Sequence, residues 1–354
     1  MKKLLYVIFA LAMALALGCE PDDTLGTGYR PDPDDKNTSD DPDDPNDVKN
    51  PGDPNDNGDN NTPPVNQSPG CSGMDILFVV DDSGSMQEEQ ENLANNFPKF
   101  VSVLDDYQTS NGSSLDYRLG VTTTGVNRNF KQNLLANWNM PTSTTGPTGL
   151  LLGKDSGEAP NCGLQKPWLE STDGNVEQTF SCMAQVGTMG SGTEMPFAAI
   201  EAALGTEDKQ KSRPGGPNAG FYRKNADSLL VVVVITDEDD CSIDPGGVMF
   251  RSTNGAADCN EKRSKGLYMP EDMKNFLDNL TGGPDRYVVV GIAGPADCSS
   301  EFGSAANAKR IKDLVEITGH NGVFGDICEG NLWINLEQAL ETMTVACTDM
   351  GPLV

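Results

Sequence analysis

Histidine and basic residues are scarce in this sequence. A single histidine, His320, occurs among 354 residues, which argues against a histidine-rich transition-metal site. Lysine and arginine number 25 against 53 aspartates and glutamates, so the formal net charge is -28. A chain of this charge repels nucleic-acid phosphates, and we therefore expect no DNA or RNA partner. The same carboxylates attract hard divalent cations.

Pairs of cysteines separated by two residues (Cys-x-x-Cys), which often mark zinc sites, are also missing. Nine cysteines are present, and one of them, Cys19, follows an apolar N-terminal run. The other eight are an even number, which in an exported chain predicts disulfides. Two pairs are local, one pair follows two successive strands, and one brackets the folded region, whose ends should be adjacent. The expected pairs are Cys162–Cys182, Cys241–Cys259, Cys298–Cys328 and Cys71–Cys347.

The N-terminus has the pattern of a signal peptide over residues 1–18. Lys2 and Lys3 precede an apolar stretch over residues 4–17, which is short for a membrane span. The stretch ends in Ala16-Leu17-Gly18-Cys19, which resembles a bacterial lipobox, although Ala16 stands where leucine is usual. We therefore expect Cys19 to be lipidated and to anchor the chain to the cell envelope. The alternative is an ordinary secretory signal that is cleaved after Gly18.

Residues 19–70 contain almost no large apolar side chains. Aspartate, asparagine, proline and glycine dominate, so this segment cannot bury enough surface to offset its ordering entropy. We expect a disordered, self-repelling spacer. Asp53, Asn55, Asn57 and Gly58 match the first half of an EF-hand loop, but the bidentate glutamate is missing, so at most weak calcium binding is predicted.

From Cys71 to the C-terminus, residues 71–354, the pattern is that of one α/β domain. Continuous apolar runs at residues 76–80, 229–235 and 287–293 suit strands that are buried on both faces of a parallel sheet. The alternating Tyr117, Leu119 and Val121 suggest a less central strand. Amphipathic segments lie between these strands, which predicts a doubly wound, mostly parallel sheet with helices on both faces. In such sheets ligands bind at the carboxyl ends of the strands.

Several helix boundaries can also be predicted. Ser85 followed by Glu88 fits a capping box that would start a helix running to about Asp106, and Pro98 should kink or split it. A later helix should stop at Gly205. Residues 126–190 and 237–268 are rich in loop-forming or acidic residues, and we expect both to be surface insertions stapled by disulfides.

The most informative motif is Asp81-Asp82-Ser83-Gly84-Ser85, at the end of the first buried strand. One carboxylate and two hydroxyls at alternate positions can point into one crevice, and such oxygens suit hard cations. The motif resembles the metal-ion-dependent adhesion site of the von Willebrand factor A family. Two later elements of that family occur in the same order, with Thr193 before a helix and Asp237 after a buried strand. The resemblance covers roughly residues 73–348.

The resemblance implies a fold, a metal and a mechanism. Its fold is the doubly wound sheet already expected. The implied ligand set is Asp81, Ser83, Ser85, Thr193 and Asp237, around Mg²⁺ or alternatively Ca²⁺ or Mn²⁺. Three neutral hydroxyls would leave the ion electrophilic, with room for an oxygen from a protein or polysaccharide partner. The implied role is adhesion or envelope assembly.

The sequence departs from the family after the second carboxylate. Glu238, Asp239 and Asp240 stand where many members have glycine. They are interpreted either as an acidic rim or as ligands of a second ion, and a negative rim would disfavour an acidic partner.

Catalysis is the less favoured function. His320 follows a helix in a Gly-rich turn and pairs with no evident nucleophile, and no phosphate-binding Gly-rich loop with its lysine is present. A hydrolase would need a metal-activated water at the Asp81 site, and no clear general base is evident beside it, although Glu194 adjoins Thr193 in the sequence. We therefore expect no enzymatic activity. A third alternative is a structural subunit of an envelope complex in which the ion only stabilises the fold.

Overall fold

The computed structural model describes residues 70–135, 138–153, 161–224, 227–251, 257–259, 264–300 and 303–351. The predicted signal peptide, the lipidation site Cys19 and the acidic spacer, with its EF-hand-like stretch, lie outside the described residues. None of the described helices is both long and apolar enough to cross a membrane.

Strands and helices alternate along the described chain. The helices are α1 (Gln87–Asp106), α2 (Val176–Ala184), α3 (Pro196–Leu204), α4 (Pro270–Thr281), α5 (Lys309–Thr318) and α6 (Leu332–Asp349). The strands are β1 (Gly73–Val80), β2 (Asp116–Thr123), β3 (Arg128–Leu135), β4 (Trp138–Thr144), β5 (Leu169–Glu170), β6 (Ser228–Ile235), β7 (Ile243–Arg251), β8 (Ala257–Asp258), β9 (Lys265–Leu267), β10 (Tyr287–Ala293), β11 (Cys298–Ser300), β12 (Gly303–Ala305) and β13 (Gly322–Asp326).

The three apolar runs form the centre of a six-stranded sheet. Its strand order is β13-β10-β6-β1-β2-β5, and all neighbours are parallel except the short edge strand β5. Every residue of β1, β6 and β10 is buried. The doubly wound α/β prediction is confirmed, and so is the less central place of β2, which lies one strand from the edge.

Helices cover both faces of this sheet. Alternate side chains of each strand point to opposite sides, so the continuous apolar strands present apolar side chains on both faces. Phe78 of β1 packs against Phe97 and Phe100 of α1 and Phe180 of α2, with ring centroids 4.9–5.7 Å from its own. The apolar side of α6 completes that layer. The neighbouring Leu77 of β1 belongs to the opposite layer, with α3, α4 and α5.

Helix α1 differs from its prediction at its start. It begins at Gln87 after Met86, with no side-chain cap, so the predicted capping box at Ser85 is wrong. The helix also runs unbroken through Pro98. Pro98 cannot donate a hydrogen bond to the Ala94 carbonyl four residues earlier, and the Ser181 hydroxyl of α2 donates to that carbonyl instead, at 3.2 Å. The helix predicted to stop at Gly205 does so.

The two predicted insertions are more ordered than expected. They meet in a second, smaller sheet of order β4-β3-β7-β8, in which β3 and β7 are parallel and β9 also pairs with β7. Residues 126–190 also supply β5 and α2, and Phe180 is completely buried in the main core. The prediction of a pure surface insertion is therefore wrong for that segment, because a short helix with one buried aromatic face lies inside its polar sequence.

The four predicted cysteine pairs are all disulfides in the structure. The disulfide between Cys71 and Cys347 joins the two ends of the described region. The backbones of the two ends are also hydrogen-bonded there, since the Cys71 amide donates to the Cys347 carbonyl at 2.7 Å. Four disulfides are typical of proteins that fold in an oxidising compartment outside the cytosol.

Candidate functional site

The predicted site residues follow the two strands at which the strand order reverses. From β1 the chain moves to β2 on one side and, later, to β6 and β10 on the other. The loops after β1 and β6 therefore leave the sheet in neighbouring positions, where a crevice opens at the carboxyl edge. The Asp81 amide still donates to the Ile235 carbonyl, at 2.9 Å, so Asp81 lies directly beside the start of the other loop.

Asp81 is completely buried and held by two donors. Its Oδ1 accepts from the Ser83 amide at 2.8 Å, and its Oδ2 accepts from the Thr236 hydroxyl at 2.6 Å. The first bond is a tight turn within the motif, and the second crosses between the two loops. Both fix the carboxylate against the sheet edge.

The two serines connect Asp81 to Asp237. The hydroxyls of Ser83 and Ser85 are 3.2 Å apart, and the Ser85 hydroxyl bonds the Asp237 carboxylate, which also contacts Asp81. Asp237 is 3 % exposed, and its Oδ1 has no hydrogen-bond partner among the described residues. Four of the five predicted side chains therefore come together.

The fifth predicted residue, Thr193, lies in the loop that leads into α3. It is buried, and its amide donates to the Ser191 hydroxyl at 3.2 Å. The loop reaches Asp81 through the next residue, Glu194, because the carboxylates of Asp81, Asp82 and Glu194 lie within 4.8 Å of one another. Sequence reasoning had considered Glu194 only as a base for a metal-bound water.

Burial raises the pKa of the carboxyl groups of this site above their usual range. Desolvation is the main cause for Asp81, Asp237 and Glu238, and it is partly offset for Asp81 by the hydrogen bond from Thr236. For Glu194, burial raises the pKa first, and the nearby charge of Asp81 raises it further. Clustered acids in which burial and like charges act in the same direction favour the uptake of protons or of a cation.

The donor set fits a hard dication. Carboxylate and hydroxyl oxygens are the ligands that Mg²⁺, Ca²⁺ and Mn²⁺ prefer. The unpartnered Oδ1 of Asp237 is an oxygen that a cation would satisfy. Asp81, Ser83, Ser85 and Asp237 can hold such an ion, with Thr193 in the adjoining loop.

Gln90 of α1 supports the site and was missed from the sequence. Its Nε2 donates to the Asp81 carbonyl and to the Gly187 carbonyl, both at 2.8 Å. The Gly187 amide donates back to its Oε1 at 3.2 Å. One amide side chain therefore fastens the helix to both loops. A glutamine five residues after the motif carries no signal of this role, because Gly187 is 97 residues away in sequence.

The acidic run after Asp237 does not form the rim that was predicted. Asp240 is completely buried and paired with Arg310 at 3.0 Å. Asp239 accepts from the Arg310 amide at 2.9 Å, at the start of α5. The interpretation of both residues as rim acids or second-ion ligands is wrong, because each has a structural partner far along the chain. Glu238 is half-buried beside Asp237 and remains at the site.

A cavity of about 420 Å³ adjoins Asp82. The loop of residues 186–190 lines one side, and residues 145–147 with Asn127 line the other. Met189 on this loop is 97 % exposed. The cavity therefore lies next to the predicted ion site.

His320 lies away from these groups. It follows α5 and precedes β13, at the amino edge of the parallel sheet, and its side chain is exposed. Its only described charged neighbour is Asp285, at 3.9 Å. The expectation of a histidine in a turn after a helix is confirmed.

No family model and no curated protein matches the sequence. Similar solved structures include proximal thread matrix protein 1 from the mussel byssus with a zinc-occupied MIDAS motif, at 14% identity and a TM-score of 0.37, over 79% of this chain and 47% of that chain. They also include the pilus adhesin SpaC from Lactobacillus rhamnosus GG, at 9% identity and a TM-score of 0.39, over 78% and 30%. The pilus adhesin RrgA from Streptococcus pneumoniae is matched at 11% identity and a TM-score of 0.34, over 76% and 44%. This chain spans less than half the length of these proteins.

Proposed function

We propose that this protein binds a divalent cation at the carboxyl edge of β1 and β6 and captures a protein or polysaccharide ligand through it. The observation that carries the proposal is the convergence of Asp81, Ser83, Ser85 and Asp237 with an unpartnered, buried oxygen on Asp237. The ion that we propose is Mg²⁺, with Ca²⁺ or Mn²⁺ as alternatives. When bound, it supplies an electrophilic position for an oxygen of the partner.

The residues of the site have different roles in binding the ion. Asp81 and Asp237 supply the negative charge, and burial makes that charge strongly attractive to a dication because water screens it little. The serine hydroxyls add ligands without further charge. Thr236 and Gln90 position Asp81 from its two sides. The adjoining cavity, with Met189 exposed at its edge, offers the partner a surface beside the ion.

We further propose that the domain works at the bacterial cell surface, most simply at the outer membrane, as a lipoprotein anchored through Cys19. The four disulfides support an oxidising compartment. The proposal is for binding without catalysis. The position of His320 at the opposite edge of the sheet supports it, because that residue is too far around the fold to act as a base at this site.

The test uses the full-length protein on a solid support. An envelope extract from the cells that make the protein is passed over the wild-type protein in Mg²⁺, over the wild-type protein in EDTA, and over the Asp81→Ala variant in Mg²⁺. We expect capture of an envelope component in Mg²⁺ and its loss in the other two. Asp313→Ala, which removes an exposed acid of α5, is the matched control and should behave as wild type.

Two outcomes would contradict the proposal. Capture that persists in EDTA and in Asp81→Ala, together with a lower melting temperature in EDTA, would mean that the ion only stabilises the fold. A calorimetric titration of the chelator-stripped protein with no uptake of Mg²⁺, Ca²⁺ or Mn²⁺ would remove the ion altogether. Turnover of a phosphoester, peptide or glycoside that depends on Asp81 would instead indicate a hydrolase.

A further inference from the structure

A second group of carboxylates lies next to the proposed ion site. Asp82 and Glu194 come from separate loops, yet their carboxylate oxygens lie within 4.8 Å of each other and of Asp81. Glu194 is completely buried, and Asp82 is 8 % exposed. Clustering three acids in so little solvent is unfavourable unless their charge is neutralised.

Glu194 has a coordination position that no described residue fills. Its Oε2 accepts from the Thr124 hydroxyl at 2.7 Å, whereas its Oε1 is buried and has no hydrogen-bond partner among the described residues. Leaving a buried carboxylate oxygen unsatisfied costs folding free energy. The orphan oxygen belongs to the same carboxylate that faces Asp81 and Asp82, so a cation there would satisfy it.

The backbone holds both acids in this arrangement. The Gly190 amide donates to the Asp82 carbonyl at 2.6 Å, and a Cβ on Gly190 would lie 2.2 Å from the Asp82 carboxylate, so only glycine fits there. The Glu194 carbonyl accepts from the Cys241 amide at 2.7 Å, and Cys241 is itself fixed by its disulfide to Cys259. The cluster is therefore built into the fold and does not result from flexible surface side chains.

We infer that Asp82 and Glu194, together with Asp81, bind a second divalent cation of the calcium class. Ca²⁺ accepts several carboxylates among its oxygen ligands, and three carboxylates lie within 4.8 Å of one another here. Mg²⁺ usually keeps several waters and is held by only one or two carboxylates. This inference rests on the proposed function only in that Asp81 is a ligand in both sites.

This assignment differs from the second site considered from the sequence. That site used the acids after Asp237, of which Asp239 and Asp240 have structural partners. Here the ligands besides Asp81 are Asp82, which lines the adjoining cavity, and Glu194, in the loop before α3. Because Asp81 is shared with the first ion, the four carboxylates of the two sites, Asp81, Asp82, Glu194 and Asp237, balance the charge of two dications.

The test counts tightly bound Ca²⁺ in the full-length, chelator-stripped protein by calorimetric titration and native mass spectrometry. Wild type should bind two ions, Glu194→Gln one, Asp237→Asn one and Asp81→Asn none. Glu201→Gln is the matched control, because Glu201 lies seven residues further on α3 and bonds Tyr268 and Gln210. It should bind two. Weak Ca²⁺ binding by the acidic N-terminal segment would be the same in every variant, so it does not affect the differences in the number of bound ions.

Each result bears on one proposal or the other. One tight ion in wild type that persists in Glu194→Gln would overturn the second site and leave the proposed function intact. One ion that disappears in Glu194→Gln would place Glu194 in the first site, which also overturns a separate second one. No tight Ca²⁺ in wild type would overturn the second site, and no uptake of Mg²⁺ or Mn²⁺ in a parallel titration would remove the proposed function as well. Asp82→Asn, a change at a more exposed ligand, repeats the count should Glu194→Gln fail to fold.

Discussion

Two buried aspartates at opposite ends of the β1–β6 strand pair have almost the same surroundings. At the amino end, Asp75 accepts from the hydroxyl of Ser228, the first residue of β6, at 2.9 Å. At the carboxyl end, Asp81 accepts from the hydroxyl of Thr236, the residue after β6, at 2.6 Å. Both aspartates are completely buried.

The difference between them is one arginine. Arg223 bonds Asp75 through its backbone amide at 2.8 Å and its Nε at 2.9 Å, and its guanidinium forms an ion pair with the same carboxylate. Asp81 instead faces Asp237 and Glu194, which are also acidic. A buried carboxylate that an arginine neutralises is accounted for by the fold, whereas one whose charged neighbours are all acidic favours a bound cation. This comparison supports the proposal that Asp81 binds a cation and Asp75 does not.

The largest expected effect comes from making the amino end resemble the carboxyl end. Arg223→Met leaves the Asp75 charge buried without a partner, and we expect the free energy of unfolding to fall by about 3 kcal/mol or more. Cation binding should be unchanged, because Asp75 lies at the other end of the strand. Denaturant unfolding and calcium calorimetry measure the two quantities.

The control for this prediction is Lys309→Met, which removes an exposed ion pair with Asp313 and should change stability by about 0–1 kcal/mol. Adding Asp75→Asn to Arg223→Met should restore part of the lost stability, since the amide carries no charge. Equal stability of Arg223→Met and wild type would mean that Asp75 is not charged in the folded protein, and the comparison would then fail.

An intermediate effect is expected from Glu89, a third kind of buried acid. It lies on α1, it is 3 % exposed, and its Oε2 has no hydrogen-bond partner among the described residues. Its pKa is raised to about 7, mainly by burial and to a smaller extent by the charge of Asp237. The folded protein therefore keeps a proton on Glu89 at a pH where the unfolded chain has lost it. This favours folding near pH 4, and the benefit is lost as the pH rises toward 7.

Glu89→Gln should accordingly be as stable as wild type near pH 4 and more stable by about 1–3 kcal/mol at pH 8, in EDTA. Denaturant unfolding across this pH range measures the difference. Added Mg²⁺ should narrow it, because a cation at Asp237 reduces the negative charge that Glu89 faces. A constant difference between the two proteins at all pH values would show that Glu89 does not titrate in this range.

Much of this arrangement was predictable from the sequence, and the predictable part was local. The unbroken apolar runs identified the buried strands, and Asp81, Ser83 and Ser85 lie within one turn of chain. The partners of Asp239 and Asp240 were not predictable, because Arg310 is 70 residues away and nothing near the acidic run indicates which acids the fold will use. Even longer separations in sequence hid the contacts of Gln90 with Gly187 and of Glu194 with Asp81.

The smaller sheet was missed for a related reason. Its strands β3 and β7 come from segments more than a hundred residues apart, and each was polar enough to suggest a loop. Strand pairing of this kind depends on a partner that brings backbone donors and acceptors, and a polar strand carries little hydrophobic pattern of its own. Helix α2 was hidden because only one face of a short helix, around Phe180, is apolar.

The smallest expected effects come from the two hydroxyls that the comparison began with. Ser228→Ala and Thr236→Val each remove one hydrogen bond to a buried aspartate, and each should lower the free energy of unfolding by about 1 kcal/mol in EDTA.

The effects of the two substitutions on cation binding should differ. Asp75 keeps Arg223, so Ser228→Ala should bind cations as wild type does. Asp81 loses the donor that fixes its Oδ2, so Thr236→Val should change the affinity for Mg²⁺, whereas Thr236→Ser, which keeps the hydroxyl, should not. Equal cation affinity in Thr236→Val and Ser228→Ala would mean that the position of Asp81 does not govern the ion, and the carboxyl edge would then have to bind it through the neighbouring acids alone.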